Sequence, residues 1–274
     1  MLSLENAIVS VHWLNKHLYN PKLVLLNASI PKVTHNTQTQ ENIQIPNSRF
    51  FDLKNNFSDI EAPFPNTFPS EQQFQNEARQ LGVNKDSIII IYDDKGIYSS
   101  PRAWWMFKAF NHKNVAVLDG GLPAWLDSGY EIESVKTYFI EQGNFIAKYQ
   151  SNLMKYFEDV KKESSNPYHK IVDARSEDRF NSKVSEPRKG LRSGKIPNSI
   201  NLPFENILNG YTLKDKNDLN TIFNSILNKE DQITFSCGSG ITACVLALGA
   251  EIVGYNNISV YDGSWTEWGS LIPE

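Results

Sequence analysis

Short apolar runs alternate with helix-period segments along this chain, and the second half repeats the order of the first. Ser10 is placed to cap a helix carrying Val11, Leu14 and Leu18 on one face. An apolar strand follows at residues 23–26. After a long Pro- and Asn-rich loop, Ser70-Glu71-Gln72-Gln73 reads as a capping box opening a helix with Phe74, Ala78 and Leu81 inward. Residues 88–91 are four isoleucines in a row, the pattern of a parallel strand covered on both faces. Pro101 suits the first turn of a helix running to Phe110, residues 115–118 form another strand, and a short helix ends near Gly129. In the second half the pattern predicts helices at 153–160, 219–227 and 242–253, with strands at 171–172, 233–235 and 258–261. Short apolar strands alternating with helices imply an α/β layer fold in each half.

The halves also share sequence. Ile45-Pro46-Asn47-Ser48 recurs as Ile196-Pro197-Asn198-Ser199, and Val117-Leu118-Asp119-Gly120-Gly121 as Val260-Tyr261-Asp262-Gly263-Ser264. Likewise Leu25-Leu26-Asn27-Ala28 answers Ile171-Val172-Asp173-Ala174. The offsets are similar but unequal, so loops differ in length while elements keep their order, as in a duplicated domain. The polar stretch 141–151, containing Gly143, separates domain 1–140 from domain 152–274 and reads as a linker.

With 274 residues, each half is large enough to bury its own core. The net charge of −4 excludes a general phosphate-binding surface for nucleic acid. No apolar run reaches the ~20 residues of a membrane-spanning helix, and the first residues lack a secretory pattern. Two cysteines, Cys237 and Cys244, point to a reducing, cytoplasmic setting. A helical segment between them would hold the sulfurs beyond bridging reach. None of the five histidines has ligand spacing to either cysteine, so no metal site is expected.

Cys237 is where chemistry is expected, the alternative being that it is a small buried apolar residue. It follows the strand at 233–235 and opens Cys237-Gly238-Ser239-Gly240-Ile241-Thr242-Ala243, which leads into an apolar helix. Two glycines let main-chain N–H groups turn inward, and the helix N-terminus adds free donors that favour a thiolate. Such a loop lies at the carboxyl end of the strand, where α/β sheets bind ligands. That reading needs a Cys237 side chain open to solvent and amides aimed at its sulfur. Cys244, mid-helix among apolar neighbours, reads as core packing. A Walker loop would need Lys before Ser/Thr, and a cysteine phosphatase would need Arg where Ala243 stands. Neither is present.

The loop from Cys237 to Ala243 resembles the active-site loop of 3-mercaptopyruvate sulfurtransferases in the rhodanese superfamily. The segment from Ile258 to Trp268 resembles that superfamily's C-terminal signature, and Ser99-Ser100-Pro101-Arg102-Ala103-Trp104-Trp105-Met106 also matches. The resemblance spans nearly the whole chain. It implies two tandem rhodanese-like domains, each a parallel sheet with helices on both faces. The first domain lacks a catalytic cysteine, Asp93 standing where Cys237 stands in the second. It further implies that Arg179 and Arg188 hold a substrate carboxylate, for which a guanidinium fork is suited. The alternative for both arginines is a solvated surface role beside Glu177, Asp178 and Glu186.

The implied reaction moves sulfur from 3-mercaptopyruvate to a thiol or cyanide through a Cys237 persulfide. The amides of Gly238, Ser239, Gly240, Ile241 and Thr242 would stabilise the transferred sulfur, and no metal or organic cofactor is required. Gly238 and Ser239 follow the mercaptopyruvate pattern, where thiosulfate-preferring relatives carry Arg and Lys. Thiosulfate as donor, a non-enzymatic persulfide relay and a catalytically silent binding domain are the alternatives. Two positions depart from the family. An Asp and a His that some members place near the loop serine fall at Lys54 and near Asn66. A Ser–His–Asp relay through Ser239 is therefore not expected, and Ser239 is left to donate one hydrogen bond to the substrate.

Overall fold

The computed structural model describes residues 4–31 and 42–273. The sequence readings on residues 1–3 and on part of the long loop, including His35, lie outside them. The chain divides into two compact units. The first comprises Met1–Asp59, Phe68–Gln150 and Gly210–Leu213. The second comprises Ile60–Thr67, Ser151–Asn209 and Lys214–Glu274.

The first unit holds strands β1 (Ile8–Val9), β2 (Leu23–Asn27), β3 (Arg49–Phe50), β4 (Ile88–Tyr92) and β5 (Val115–Leu118). All pair in parallel, in the order β1-β5-β4-β2-β3. The second unit holds β6 (Met154–Lys155), β7 (His169–Asp173), β8 (Ile200–Asn201), β9 (Gln232–Ser236) and β10 (Ile258–Tyr261). Their parallel order is β6-β10-β9-β7-β8. Raising every strand number of the first sheet by five gives the second. The repeated sequence is a repeated topology.

Helices α1 (Val11–His17), α2 (Glu71–Gln80), α3 (Ser100–Ala109) and α4 (Gly121–Asp127) flank the first sheet. Those of the second are α5 (Phe157–Glu163), α6 (Glu177–Phe180), α7 (Lys216–Asn224), α8 (Ala243–Ile252) and α9 (Ser264–Leu271). All five residues of β4 are buried, as a parallel strand covered on both faces requires. Ser10 and Ser70 cap their helices as expected, accepting from Trp13 N–H (3.1 Å) and Gln73 N–H (3.2 Å). The capping box is half formed. The Gln73 side chain donates to the carbonyls of Asn56 and Ser58 and does not return to the cap.

Two expected helices begin later or earlier than their sequence pattern. The helix expected at 153–160 starts only at Phe157, because Met154 and Lys155 pair with Val260 and Tyr261 as an edge strand. The helix expected at 219–227 begins at Lys216. Asp215 caps it by accepting from Asn217 and Asp218 N–H, three residues before the first apolar position. The Ile-Pro-Asn-Ser repeat forms the same turn twice. Asn47 and Asn198 adopt φ 64° and 57°, and Ser48 and Ser199 N–H each donate back to the isoleucine carbonyl at 3.2 Å. Asparagine tolerates this left-handed backbone.

In the first unit, His112 is buried and donates from Nε2 to the Ser87 carbonyl at 3.0 Å. Burial holds its pKa below the usual histidine value, outweighing the hydrogen bonds to main-chain carbonyls. The unfolded chain therefore binds a proton that the folded chain refuses. Stability from the neutral imidazole is complete above the unfolded value of about 6.5 and is lost as pH falls below it. Thermal melts should show Tm declining from pH ~6.5 downward, and His112→Gln should flatten that segment of the profile.

Candidate active site

Strand β9 ends at Ser236, and the loop from Cys237 runs directly into α8. Gly240 turns the chain at φ 74°, a conformation that costs glycine little. The loop is tied to the start of α9. Trp265 and Thr266 N–H donate to the Cys237 and Gly238 carbonyls, each at 3.0 Å. Ser264 Oγ accepts from both Cys237 N–H and Gly240 N–H at 3.1 Å and donates to the Tyr261 carbonyl at 2.9 Å. It stands 3.9 Å from Cys237 Sγ. Ser264 holds φ 51°, the same value as its repeat partner Gly121. A non-glycine residue there carries strain, and its hydroxyl is what joins the two loop amides.

Sequence reasoning missed Ser264. The signal was available, since the repeat aligns a serine with a glycine in otherwise matched Asp-Gly segments.

The main-chain N–H groups of Gly238, Ser239, Ile241, Thr242 and Ala243 make no hydrogen bond among the described residues. Donors in such a cluster call for an anionic acceptor. The first unit shows the same turn already filled. There Asp93 follows β4, and its Oδ2 accepts from Tyr98, Ser99 and Ser100 N–H, each at 2.9 Å, and from Ser100 Oγ at 2.7 Å. Oδ1 accepts from Lys95 N–H at 2.9 Å. Helix α3 starts at Ser100 as α8 starts at Ala243, so the donors that Asp93 satisfies correspond to the unpaired ones after Cys237.

Two expectations for the loop are corrected. Gly240 N–H was read among the donors to sulfur, but it is committed to Ser264 Oγ. Cys237 was expected to be open to solvent, yet it is only 1% exposed, so that condition on its chemistry is not met in this structure, and the reading rests on the unpaired loop amides and the arginine pair alone. The Cys237 carbonyl and that of Gly238 are pinned to the first turn of α9, which draws the cysteine inward behind the loop.

Arg179 and Arg188 come together at Gly238. A Cβ on Gly238 would stand 3.1 Å from Arg179 Nη2 and 3.7 Å from Arg188 Nη1. Arg188 Nη2 also donates to Ser239 Oγ at 2.9 Å. Arg179 is held from behind by Glu186, which accepts from its Nη2 at 2.5 Å and its Nε at 3.3 Å. The side chain of Glu186 is fully buried and also accepts from Arg175 Nη1 at 2.9 Å. Arg175 is in turn clamped by Asp173 (2.6 Å) and stacked over Trp265. Burial works against the Arg175 charge, but Asp173 and Glu186 outweigh it and raise its pKa above the ordinary value. Glu186 is thus an anchor, not a surface charge. Glu177 and Asp178, the other carboxylates considered, pair with exposed Lys183.

The rhodanese-like domain family matches residues 10–128 and 157–271. This chain belongs to the rhodanese family. Among its relatives, 3-mercaptopyruvate sulfurtransferase of Mus musculus is 37% identical, the match covering 97% of this chain and 92% of that protein. The mitochondrial thiosulfate/3-mercaptopyruvate sulfurtransferase 1 of Arabidopsis thaliana is also 37% identical, over 97% of this chain and 77% of its own length. The crystal structure of SseA from Escherichia coli, one of the 3-mercaptopyruvate sulfotransferases, superposes with a TM-score of 0.85 at 32% identity. That match covers 95% of this chain and 99% of SseA.

Of the two positions read as departures from other rhodaneses, Asn66 belongs to the second unit and stands against Ser239. Its Nδ2 lies 2.9 Å from Ser239 Oγ and 3.2 Å from the Ser239 carbonyl. Lys54 belongs to the first unit, where its N–H donates to Asp52. Cys244 packs within α8, its Sγ 3.3 Å from the Gly240 carbonyl, and neither cysteine forms a disulfide.

The filled turn of the first unit gives a direct test of how strongly this rhodanese loop demands an acceptor. Asp93→Ala strands four amides and a serine hydroxyl. Denaturant unfolding should register a loss on the order of 3 kcal/mol, since each orphaned buried donor carries its desolvation penalty. A loss below ~1 kcal/mol would show that the turn tolerates unpaired donors.

Proposed function

We propose that this chain transfers sulfane sulfur from 3-mercaptopyruvate to a thiol or cyanide acceptor through a persulfide on Cys237. The chain is a sulfurtransferase. The observation that carries the substrate assignment is the meeting of Arg179 and Arg188 at Gly238, one residue from Cys237. Two guanidinium groups meeting at one point suit the planar carboxylate of a 2-oxo acid, Arg179 being held there through its Nε and Nη2 by Glu186.

Cys237 thiolate attacks the donor sulfur. The S–S bond forms as the C–S bond breaks, and the bonding pair leaves as the enolate of pyruvate. The unpaired N–H groups of Gly238, Ser239, Ile241 and Thr242 stabilise negative charge on the terminal sulfur. An acceptor thiolate then attacks that sulfur and restores Cys237. The chemistry needs neither metal nor organic cofactor. The second unit carries the reacting groups and the first holds the copy whose turn is occupied by Asp93; residues 141–150, expected as a linker, fall within the first unit, where Phe145 and Ala147 are buried. Two cysteines without a disulfide suit a reducing compartment such as the cytosol. None of the described helices is long and apolar enough to cross a membrane.

Thiosulfate is the second reading, supported by the arginine pair, which suits a dianion as well. The loop itself has no cation between Cys237 and Ile252.

Intact mass after incubation with 3-mercaptopyruvate should show a reversible gain of one sulfur atom, absent from Cys237→Ser. Full turnover by Cys237→Ser would end this reading. Arg188→Lys keeps the charge but loses the fork, and should raise KM for mercaptopyruvate about tenfold or more. The ratio of kcat/KM for mercaptopyruvate and thiosulfate should favour mercaptopyruvate. Gly238→Arg, which places a third guanidinium against Arg179 and Arg188, should lower the mercaptopyruvate value on the order of 100-fold.

A further inference from the structure

Ser239 has two hydrogen-bond donors on one oxygen. Asn66 Nδ2 donates to Ser239 Oγ at 2.9 Å and to the Ser239 main-chain carbonyl at 3.2 Å. A carbonyl oxygen only accepts, so the Asn66 amide must present its NH2 to Ser239, and the side-chain orientation is settled. Arg188 Nη2 donates to the same Oγ at 2.9 Å, and a guanidinium has no acceptor to offer. A serine hydroxyl has two lone pairs and one proton. Both lone pairs are taken, and Ser239 makes no other hydrogen bond among the described residues. Asn66 and Ser239 are both buried, at 5% and 6% exposure, so bulk water does not scramble this arrangement.

We propose that Asn66 is a positioning residue which, with Arg188, fixes the Ser239 hydroxyl as an obligate hydrogen-bond donor to the carbonyl oxygen of the bound 2-oxo acid. The proposal rests on the sulfur-transfer reading above. As the C–S bond breaks, the electron pair passes through the methylene carbon and negative charge collects on that carbonyl oxygen. The Ser239 hydrogen bond strengthens with the charge and the proton stays on serine. The enolate carbon is protonated through water by the S–H of the newly formed persulfide, so atoms and charge balance without an outside oxidant or reductant. The backbone supports the assignment of Asn66. It holds φ 63°, a conformation that asparagine and aspartate tolerate and alanine does not.

That backbone also selects the test. Asn66→Asp and Asn66→Gly both accept the left-handed conformation, so each should fold, with circular dichroism melts as the check. Asp is nearly isosteric but turns a donor into an acceptor, which would claim the Ser239 proton. Gly removes the side chain and leaves the proton undirected. The expected result is a kcat loss with 3-mercaptopyruvate on the order of 100-fold for Asn66→Asp, with a smaller loss for Asn66→Gly. A residue that merely fills space gives the opposite order, because Gly leaves the larger void. If Asn66→Gly loses as much kcat as Asn66→Asp or more, the positioning role is overturned. Mass measurement on the unaltered protein separates the two levels: if its Cys237 takes no sulfur from mercaptopyruvate or thiosulfate, the sulfur-transfer reading itself fails.

Discussion

A strand that turns sharply into a helix leaves several main-chain N–H groups in one small volume, and something must accept from them. Both units of this protein are built around that requirement. In the first, the fold answers it internally, with a buried carboxylate receiving four amides and a hydroxyl. In the second, a sulfur side chain stands at the corresponding place, and five amides of the turn find no acceptor among the described residues. The difference between a structural corner and a reactive one is the residue at the end of the central strand.

The surroundings of Cys237 show how such an incomplete turn is kept in shape. Ser264 accepts a left-handed backbone to bring one hydroxyl to two loop amides, and α9 holds two loop carbonyls. Behind the arginines runs a buried sequence of alternating charge, Asp173 to Arg175 to Glu186 to Arg179. Removing one member of such a chain leaves a buried charge without its partner, which is costly. Its effect on Arg179 is geometric. A long side chain that would otherwise sample many rotamers is fixed with its guanidinium at Gly238, a loop position with no Cβ to obstruct it.

Much of this was legible in the sequence. The duplicated strand–helix order, the Ile-Pro-Asn-Ser turns and the loop after Ile233-Thr234-Phe235 all depend on local signals: apolar runs, asparagine at left-handed positions, glycine beside cysteine. Arg179 and Arg188 were readable through resemblance, and Asn66 through its register as a departure. What stayed hidden depends on tertiary contact. Met154 and Lys155 look helical until Val260 and Tyr261 offer edge pairing. Glu186 looks like a surface acid until Arg175 and Arg179 enclose it. The burial of Cys237 is likewise a property of the folded loop and of no residue in it.

The occupied turn around Asp93 has a consequence for how the two copies can change over time. Its anion is covalently part of the chain, so it never has to arrive or depart, and nothing in that half needs to admit a small molecule. Substitutions there are screened only for whether the corner still closes. On the proposed sulfur-transfer reading, the Cys237 copy must close the same corner while leaving its guest replaceable, and the residues that meet that double demand, among them Ser264 and Gly238, have less freedom to drift.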